Sequence, residues 1–334
     1  MYIFITGIAG FIGFHIAQAL RERGDTVVGC DNFNAYYDPQ LKRDRAALLE
    51  KQGVKIIEMD IRDGARLEKL LQENKITHFL HLAAQAGVRH SINHPEEYVA
   101  SNLEGFVQVM EAIKRHPKIP LIYASSSSVY GLNKKTPFSE TDPTDMPSSL
   151  YGATKKSNEL LAHAYHHMFG ISVTGLRFFT VYGPWGRPDM AYFSFADAIL
   201  KGKPLQIFNE GKMERDFTYI DDIVAGTIAA IDLAAPCEIF NLGNHKPEGV
   251  LHLVELLEKN LGKAAIKNLL PMQPGEVPVT YADISKSQKQ LRFSPTISLD
   301  KGIEKFLTWY LEYYHKSKWS VAKIIGVISA SKPV

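Results

Sequence analysis

Residues 6–13 read TGIAGFIG, with the apolar run Tyr2-Ile3-Phe4-Ile5 before them and an amphipathic stretch, 12–23, after them. A strand, a glycine turn and a helix in that order make a cradle for an anion. The glycines allow a tight turn and close approach, and the first amides of the helix have no partners within it. Gly7, Gly10 and Gly13 are spaced G-x-x-G-x-x-G, a departure from the G-x-G-x-x-G dinucleotide fingerprint. By itself the turn is also compatible with a plain glycine loop. Asp31 narrows the choice. It closes the next apolar run, 26–30, at about the 20-residue offset where a carboxylate accepts hydrogen bonds from an adenosine ribose. A carboxylate there repels a 2′-phosphate, so the pair of features predicts NAD. Gly7, Gly10, Phe11, Ile12 and Gly13 then form the phosphate turn, with Asp31 and Asn32 at the ribose. Lys42 and Arg43 leave NADP open, their other reading being a solvated helix face. Asp60, with Ile61 beside it, ends the third strand; it faces the adenine edge or caps the backbone before Arg62.

Further strands are predicted at 55–58, 78–82, 120–124 and 172–176, with helices at 64–74, 96–115 and 151–169 between them. Short apolar runs alternating with amphipathic stretches predict βαβ units and a Rossmann-type, doubly wound parallel sheet. Ligands of such sheets bind beyond the carboxyl ends of the strands. After about residue 177, prolines punctuate shorter elements, with helical patterns at 192–201, 249–261 and 299–315. The run CEIFNLG at 237–243 reads as one more strand of the main sheet. The expected organisation is an NAD-binding domain over 1–177 with a returning segment at about 217–245. A smaller mixed α/β substrate lobe covers 178–216 and 246–315, and a tail follows at 316–334.

The bulk properties exclude several classes. The chain has 334 residues, 45% hydrophobic and 22% charged, which is too apolar for disorder. A net charge of +2 gives no basic field for nucleic acid. Cys30 and Cys237 are too few for a disulfide framework and predict reduced thiols in a cytoplasmic protein. No apolar run reaches the roughly 18 residues of a membrane span, and the early glycine turn argues against a cleavable leader. The tail mixes lysines with Trp319, Ile324 and Ile325; it reads as a frayed or packed terminal helix, or as a short helix on a membrane surface, with no stable insertion. No metal is expected. The twelve histidines are read as lacking ligand spacing beside carboxylates, and His163, His166 and His167 as a polar or interface face. Asp221-Asp222 open an apolar helical run, where carboxylates complement the helix dipole.

The stretch YGATK places Tyr151 and Lys155 at i and i+4, on one helix face. An adjacent ammonium favours a phenolate and is expected to lower the tyrosine pKa toward general-base duty. Upstream, a strand runs into Ser125-Ser126-Ser127-Ser128, hydroxyls able to hold the same substrate oxygen. In this order and spacing the chain resembles an extended short-chain dehydrogenase/reductase of the nucleotide-sugar epimerase/dehydratase group, from the glycine turn to about residue 315. The resemblance implies that Tyr151 is the acid/base, that Lys155 anchors the nicotinamide ribose and tunes Tyr151, and that Ser126 completes the set, with Ser127 and Ser128 able to share its role. It also implies NAD contacts along HLAAQAG (81–87), including Ala83 and Ala84, and Phe178 beside the nicotinamide.

Within that group, sugar dehydratases carry an Asp-Glu pair, and decarboxylases a Glu, where this chain has Ser127 and Ser128. Neither serine is an acid or base at neutral pH, which leaves oxidation and re-reduction of one carbinol. The run FFTVYGPWGRPDMA (178–191) resembles the uridine diphosphate glucuronate 4-epimerases, including bacterial capsule-synthesis members. That likeness implies a UDP-uronic acid substrate, with Arg187 and Thr180 on the sugar carboxylate; the other reading of Arg187 is a surface pair. Arg89 is a candidate for diphosphate or carboxylate, and Phe208, Asn209 and Arg215 would bracket the uracil and diphosphate. A UDP-hexose 4-epimerase and a uronate decarboxylase remain rival enzymes, and a non-catalytic NAD-binding sensor is the rival from another class. The sensor would show a broken Tyr/Lys/Ser set, and here all three are present. The resemblance further implies a homodimer, formed through the helices at 96–115 and 151–169.

Overall fold

The computed structural model describes residues 1–273 and 275–315. The expectations for the tail at 316–334 lie outside the described residues. The first half runs β1 (Tyr2–Thr6), α1 (Phe11–Glu22), β2 (Thr26–Asp31), α2 (Pro39–Lys51), β3 (Lys55–Glu58), α3 (Gly64–Glu73) and β4 (His78–His81). It continues with α4 (Val88–Asn93), α5 (Pro95–Tyr98), a π-helix (Val99–Glu104), α6 (Gly105–Arg115), β5 (Leu121–Ser126), a 3-10 turn (Ser127–Tyr130), α7 (Leu150–Phe169) and β6 (Val173–Phe178). The remainder comprises β7 (Thr180–Tyr182), α8 (Ala191–Lys201), β8 (Leu205–Ile207), β9 (Glu214–Tyr219), α9 (Ile220–Leu233), β10 (Cys237–Leu242), β11 (Pro247–Gly249), α10 (Val250–Leu261), β12 (Lys267–Leu269), β13 (Val279–Thr280), α11 (Ser285–Leu291) and α12 (Leu299–His315).

The main sheet has seven strands in the order β10-β6-β5-β4-β1-β2-β3, every neighbouring pair parallel. Ile3, Phe4 and Ile5 are all fully buried, as expected of strands covered on both faces. The strand order reverses between β1 and β4, so the crevice for a ligand opens at their carboxyl ends. The glycine turn leaves one of those ends and the 82–87 segment the other. A four-stranded sheet, β11-β9-β13 with β7 also on β9, and the pair β12-β8 form the second layer.

Two departures from the expected elements bear on the site. The helix expected over 96–115 is broken by the π-helix. The widened turn lets the buried Asn102 side chain accept from Gln85 N (2.8 Å) and donate to Gln85 O (2.9 Å) and Thr154 Oγ1 (3.0 Å); π-bulges characteristically free such groups. The helix α2 gave no amphipathic signal because two of its buried residues are cations, Lys42 and Arg45. By contrast α7 has the ends its sequence announces: Ser149 Oγ accepts from Gly152 N at 3.1 Å, and Gly170 closes it at φ +68°.

Candidate active site

A cavity at the switch point is lined by Gly7, Phe11, Ile12, Gly13, Asp31, Asn32, Asp60, Ile61, Ala83, Ala84, Ser126, Tyr151, Lys155, Phe178 and Arg187. Gly7 takes φ +70°, and a Cβ there would stand 2.7 Å from Ala83 N, so no other residue keeps this close approach. Thr6 knots the two sides. Its hydroxyl accepts from Leu82 N and Ala83 N (both 3.2 Å) and bonds His81 Nδ1 at 2.8 Å. Gly10 is the N-cap of α1 and lines no wall itself. It supplies no side-chain cap, and no acidic residue lies in the first turn, which leaves the helix amides open to phosphate oxygens.

The residues fit an NAD molecule. Asp31 accepts from Ala9 N (3.1 Å) and Phe33 N (2.9 Å); burial still raises its pKa, against the pull of Lys42, these amides and Arg45. The two cations that left NADP open are both engaged. Arg43 is bidentate on Glu58 at 2.8 Å, and Lys42 Nζ donates to Asn34 O (2.9 Å) and Oδ1 (2.5 Å). Asp60 lines the cavity and accepts Arg62 N at 2.9 Å; the cap of α3 is Asp63. Gln85 Nε2, buried on the cavity wall, has no hydrogen-bond partner among the described residues, a donor that a bound ligand would satisfy.

The register sets Ser126 beside Phe178 at adjacent strand ends. Ser126 stands beside the Tyr151 phenol and favours its ionised form; its hydroxyl accepts Ser128 N at 3.1 Å. Ser125 points elsewhere, donating to Glu159 at 2.6 Å. Glu159 in turn is paired with Arg177 at 2.8 and 2.9 Å, all three groups being buried. The expectation that Lys155 lowers the Tyr151 pKa needs correction. Lys155 Nζ donates to Ala124 O at 2.8 Å, and burial lowers its own pKa to about 8. Burial raises that of Tyr151, with the Ser126 hydroxyl and the Arg187 charge opposing it. In the protein alone the cation acting on the phenol is therefore Arg187.

A second cavity adjoins the first and is lined by Arg89, Thr180, Arg187, Phe208 and Arg215. Ser127, Ser128 and Asn209 line neither cavity. Arg89 stacks on Phe208 (4.3 Å to the ring centre) and pairs with Glu276 at 2.7 Å; Arg215 reaches the other Glu276 oxygen at 3.6 Å. Arg187 is bidentate on Asp189, Nη2 at 2.6 Å and Nε at 3.1 Å. Burial pulls its pKa down, but Asp189 holds it above the ordinary arginine value.

Sequence reasoning missed Tyr36, Gln85, Asn102, Asp189 and Arg45. Of these, Gln85 stood in HLAAQAG and Asp189 in FFTVYGPWGRPDMA, motifs already singled out. Asp222 does more than face a helix dipole: it accepts Thr296 N (3.0 Å) and Ile297 N (3.2 Å), while Asp221 meets Lys305 at 3.8 Å. The reading that no histidine spacing stands beside a carboxylate is also corrected, since His90 and His94 are at i and i+4 and Glu97 lies close to both. His90 Nε2 bonds Glu97 at 2.8 Å, and the two rings stack at 4.2 Å and 22°. Rings so nearly parallel set their nitrogens side by side, whereas a tetrahedral ion needs converging lone pairs.

The family model for the NAD dependent epimerase/dehydratase family matches residues 3–243. UDP-glucuronate 4-epimerase 4 of Arabidopsis thaliana is 53% identical, over 96% of this chain and 78% of its own length. Protein CapI of Staphylococcus aureus is 44% identical, over 95% and 100% respectively. The crystal structure of UDP-glucuronic acid 4-epimerase from Bacillus cereus, in complex with UDP-glucuronic acid and NAD, superposes with a TM-score of 0.88 at 42% identity, over 94% of this chain and 100% of that one.

Proposed function

The chain belongs to the NAD-dependent epimerase/dehydratase family, and on that premise we infer that it converts UDP-glucuronate to UDP-galacturonate by inverting C4′ of the sugar. The observation that carries this reading is Tyr151, Lys155 and Ser126 brought together on the wall of one cavity that Arg187 also lines, with serines rather than carboxylates at 127 and 128.

When bound, NAD supplies a reversible hydride acceptor for C4′. Tyr151 takes the proton of the 4′-hydroxyl and later returns it, while Ser126 holds the same oxygen. Lys155, fixed on Ala124 O, stands on the same helix face for the cofactor ribose. Phe208, Arg89 and Arg215 hold the uracil and diphosphate end, so the sugar turns about its phosphate linkage and offers its other face. The oxidised sugar is a β-keto acid. If its carboxylate stands perpendicular to the ketone plane, the C5–C6 bond breaks, carbon dioxide leaves and C5 takes a proton. Arg187 and Thr180 hold the carboxylate out of that alignment. Arg187→Ala is therefore expected to raise the share of decarboxylated pentose over epimer; a lower affinity with an unchanged product ratio refutes the clamp.

The direct test is to denature the purified protein, identify the released cofactor, and incubate native protein with UDP-glucuronate. NAD and UDP-galacturonate are expected; turnover of UDP-glucose alone, or a pentose as the main product, overturns the reading. We also propose a homodimer. Val99 on the π-helix and Leu160 on α7 are 47% and 59% exposed, apolar groups on the two helices assigned to the contact. Among the described residues no helix is long and apolar enough to cross a membrane. Free thiols at Cys30 and Cys237 support a reducing, cytoplasmic setting.

A further inference from the structure

The Arg187 guanidinium meets the cavity with one edge already occupied. Asp189 takes the Nε/Nη2 edge, while Nη1 makes no hydrogen bond among the described residues. Pro188 between them restricts the backbone, so the two side chains turn back on each other as one unit. Tyr36, from the loop after β2, donates its hydroxyl to Asp189 Oδ2 at 3.1 Å. Tyr36 lines both cavities beside Arg187. Gly87 lets it lie there, since a Cβ at 87 would stand 2.9 Å from the Tyr36 hydroxyl. Burial and the Arg187 charge act in opposite directions on Asp189, and the arginine prevails: the carboxyl stays below its usual range and is ionised at neutral pH.

We propose that Asp189 is a positioning residue: with Tyr36 it holds the Arg187 guanidinium plane by one edge so that the opposite edge receives the substrate carboxylate. This rests on the uronate reading above and extends it. A lone arginine has about 2 kcal/mol of rotamer freedom to lose when it grips a carboxylate. Here that ordering is done before substrate arrives. The pairing also means that an empty site holds an ion pair rather than a bare, half-buried cation. A neutral sugar in the cavity then leaves only the N–H groups of one edge unmet, so discrimination by Arg187 rests on directed hydrogen bonds more than on raw charge.

Asp189→Asn keeps a similar shape and one acceptor but removes the charge and the bidentate hold. The test measures, in one reaction mixture with UDP-glucuronate, the ratio of decarboxylated pentose to UDP-galacturonate. That ratio does not depend on how much enzyme is folded, so a merely structural role leaves it unmoved. The expected result is a rise of at least threefold for Asp189→Asn, smaller than for Arg187→Ala, with a lower kcat. Tyr36→Phe should move the ratio in the same direction by less. An unchanged ratio in Asp189→Asn, alongside a raised ratio in Arg187→Ala, overturns this inference and leaves the uronate reading standing. Wild-type protein that fails to epimerise UDP-glucuronate brings down the reading itself.

Discussion

Arg45 is among the largest fully buried side chains of the described residues, at 0% exposure, and no carboxylate pairs with it there. Its fork joins two loops that the catalytic geometry needs together. Nη1 donates to Ala9 O (3.0 Å) in the glycine turn and to Tyr37 Oη (2.8 Å). Nη2 donates to Trp185 O (2.5 Å) and Gly186 O (3.2 Å), next to Arg187. Arg45→Met keeps much of the volume and removes all four bonds. Three buried carbonyls then lack a donor, at about 1 kcal/mol each. Against this, a desolvated cation whose Nε is unpartnered among the described residues is removed, a relief set at about 1 kcal/mol. The net expected loss is about 2 kcal/mol, or a melting point lower by about 3–5 °C for a chain of this size. Because the glycine turn loosens too, NAD affinity should fall about tenfold, equivalent to about 1.4 kcal/mol. Arg45→Lys should fare no better, since one ammonium cannot span both loops. The assay is thermal unfolding with and without NAD, together with cofactor titration. Unchanged melting and unchanged NAD affinity in Arg45→Met would show that the two loops are held by something else.

Other consequences are more direct. Tyr151→Phe should lower epimerisation by about 10²–10⁴-fold while NAD remains bound, checked by turnover and by cofactor content of the purified variant; near-normal turnover sinks the acid/base assignment. Glu159→Gln leaves the buried Arg177 charge uncompensated, and urea unfolding should show a loss of about 3–5 kcal/mol. His81 is buried and His15 half-buried, and desolvation lowers their pKa values to about 3 and about 4 respectively. Unfolding raises both toward about 6.5, so the unfolded chain binds protons first. Their contribution is complete above about pH 6.5 and is lost as pH falls toward 4. Asp216 acts oppositely: burial raises its pKa to about 6, giving stability present below about pH 3.8 and lost as pH rises through 6. Melting curves from pH 4 to 7 should therefore steepen in their acid dependence when Asp216 is replaced by Asn, and flatten in His15→Gln.

What the sequence disclosed was what short range and period can encode. Strands such as β1 are short apolar runs because both sheet faces are covered there, with the edge strand β3 left partly exposed, and Tyr151, Lys155 and Ser126 lie where a helix repeat and a strand end put them. What it withheld depends on distant partners. Asn102 stands in an ordinary helical pattern, and only the hydrogen bonds to Gln85 and Thr154 distinguish it. Lys42 reads as a solvated helix face, and Arg45 drew no reading, because nothing local says that carbonyls from other loops surround them. The effect of Lys155 on Tyr151 was misjudged for a similar reason: spacing shows that two groups share a face, but not that the nearer carbonyl takes the ammonium.

The arginines of the substrate side share one electrostatic arrangement. Arg187 is paired with Asp189, while Arg89 and Arg215 share Glu276. A cavity built for a diphosphate and a carboxylate needs cations, yet cations clustered without ligand would repel one another and lose solvation. Carboxylates of the chain remove that cost in the empty state. For Arg215, burial and the neighbouring Arg89 lower the pKa while Glu276 opposes them. The two acids differ in reach. Asp189 is two residues from its arginine and locked by Pro188, so it stays while substrate takes the other edge. Glu276 comes from a separate loop and touches both arginines at once, so an arriving diphosphate competes with it for them. Glu276→Gln should then tighten UDP binding, read by calorimetry as a lower Kd and a steeper salt dependence, whereas Asp189→Asn should leave UDP binding as it was. Weaker UDP binding in Glu276→Gln would mean that this carboxylate orders the arginines rather than competing for them.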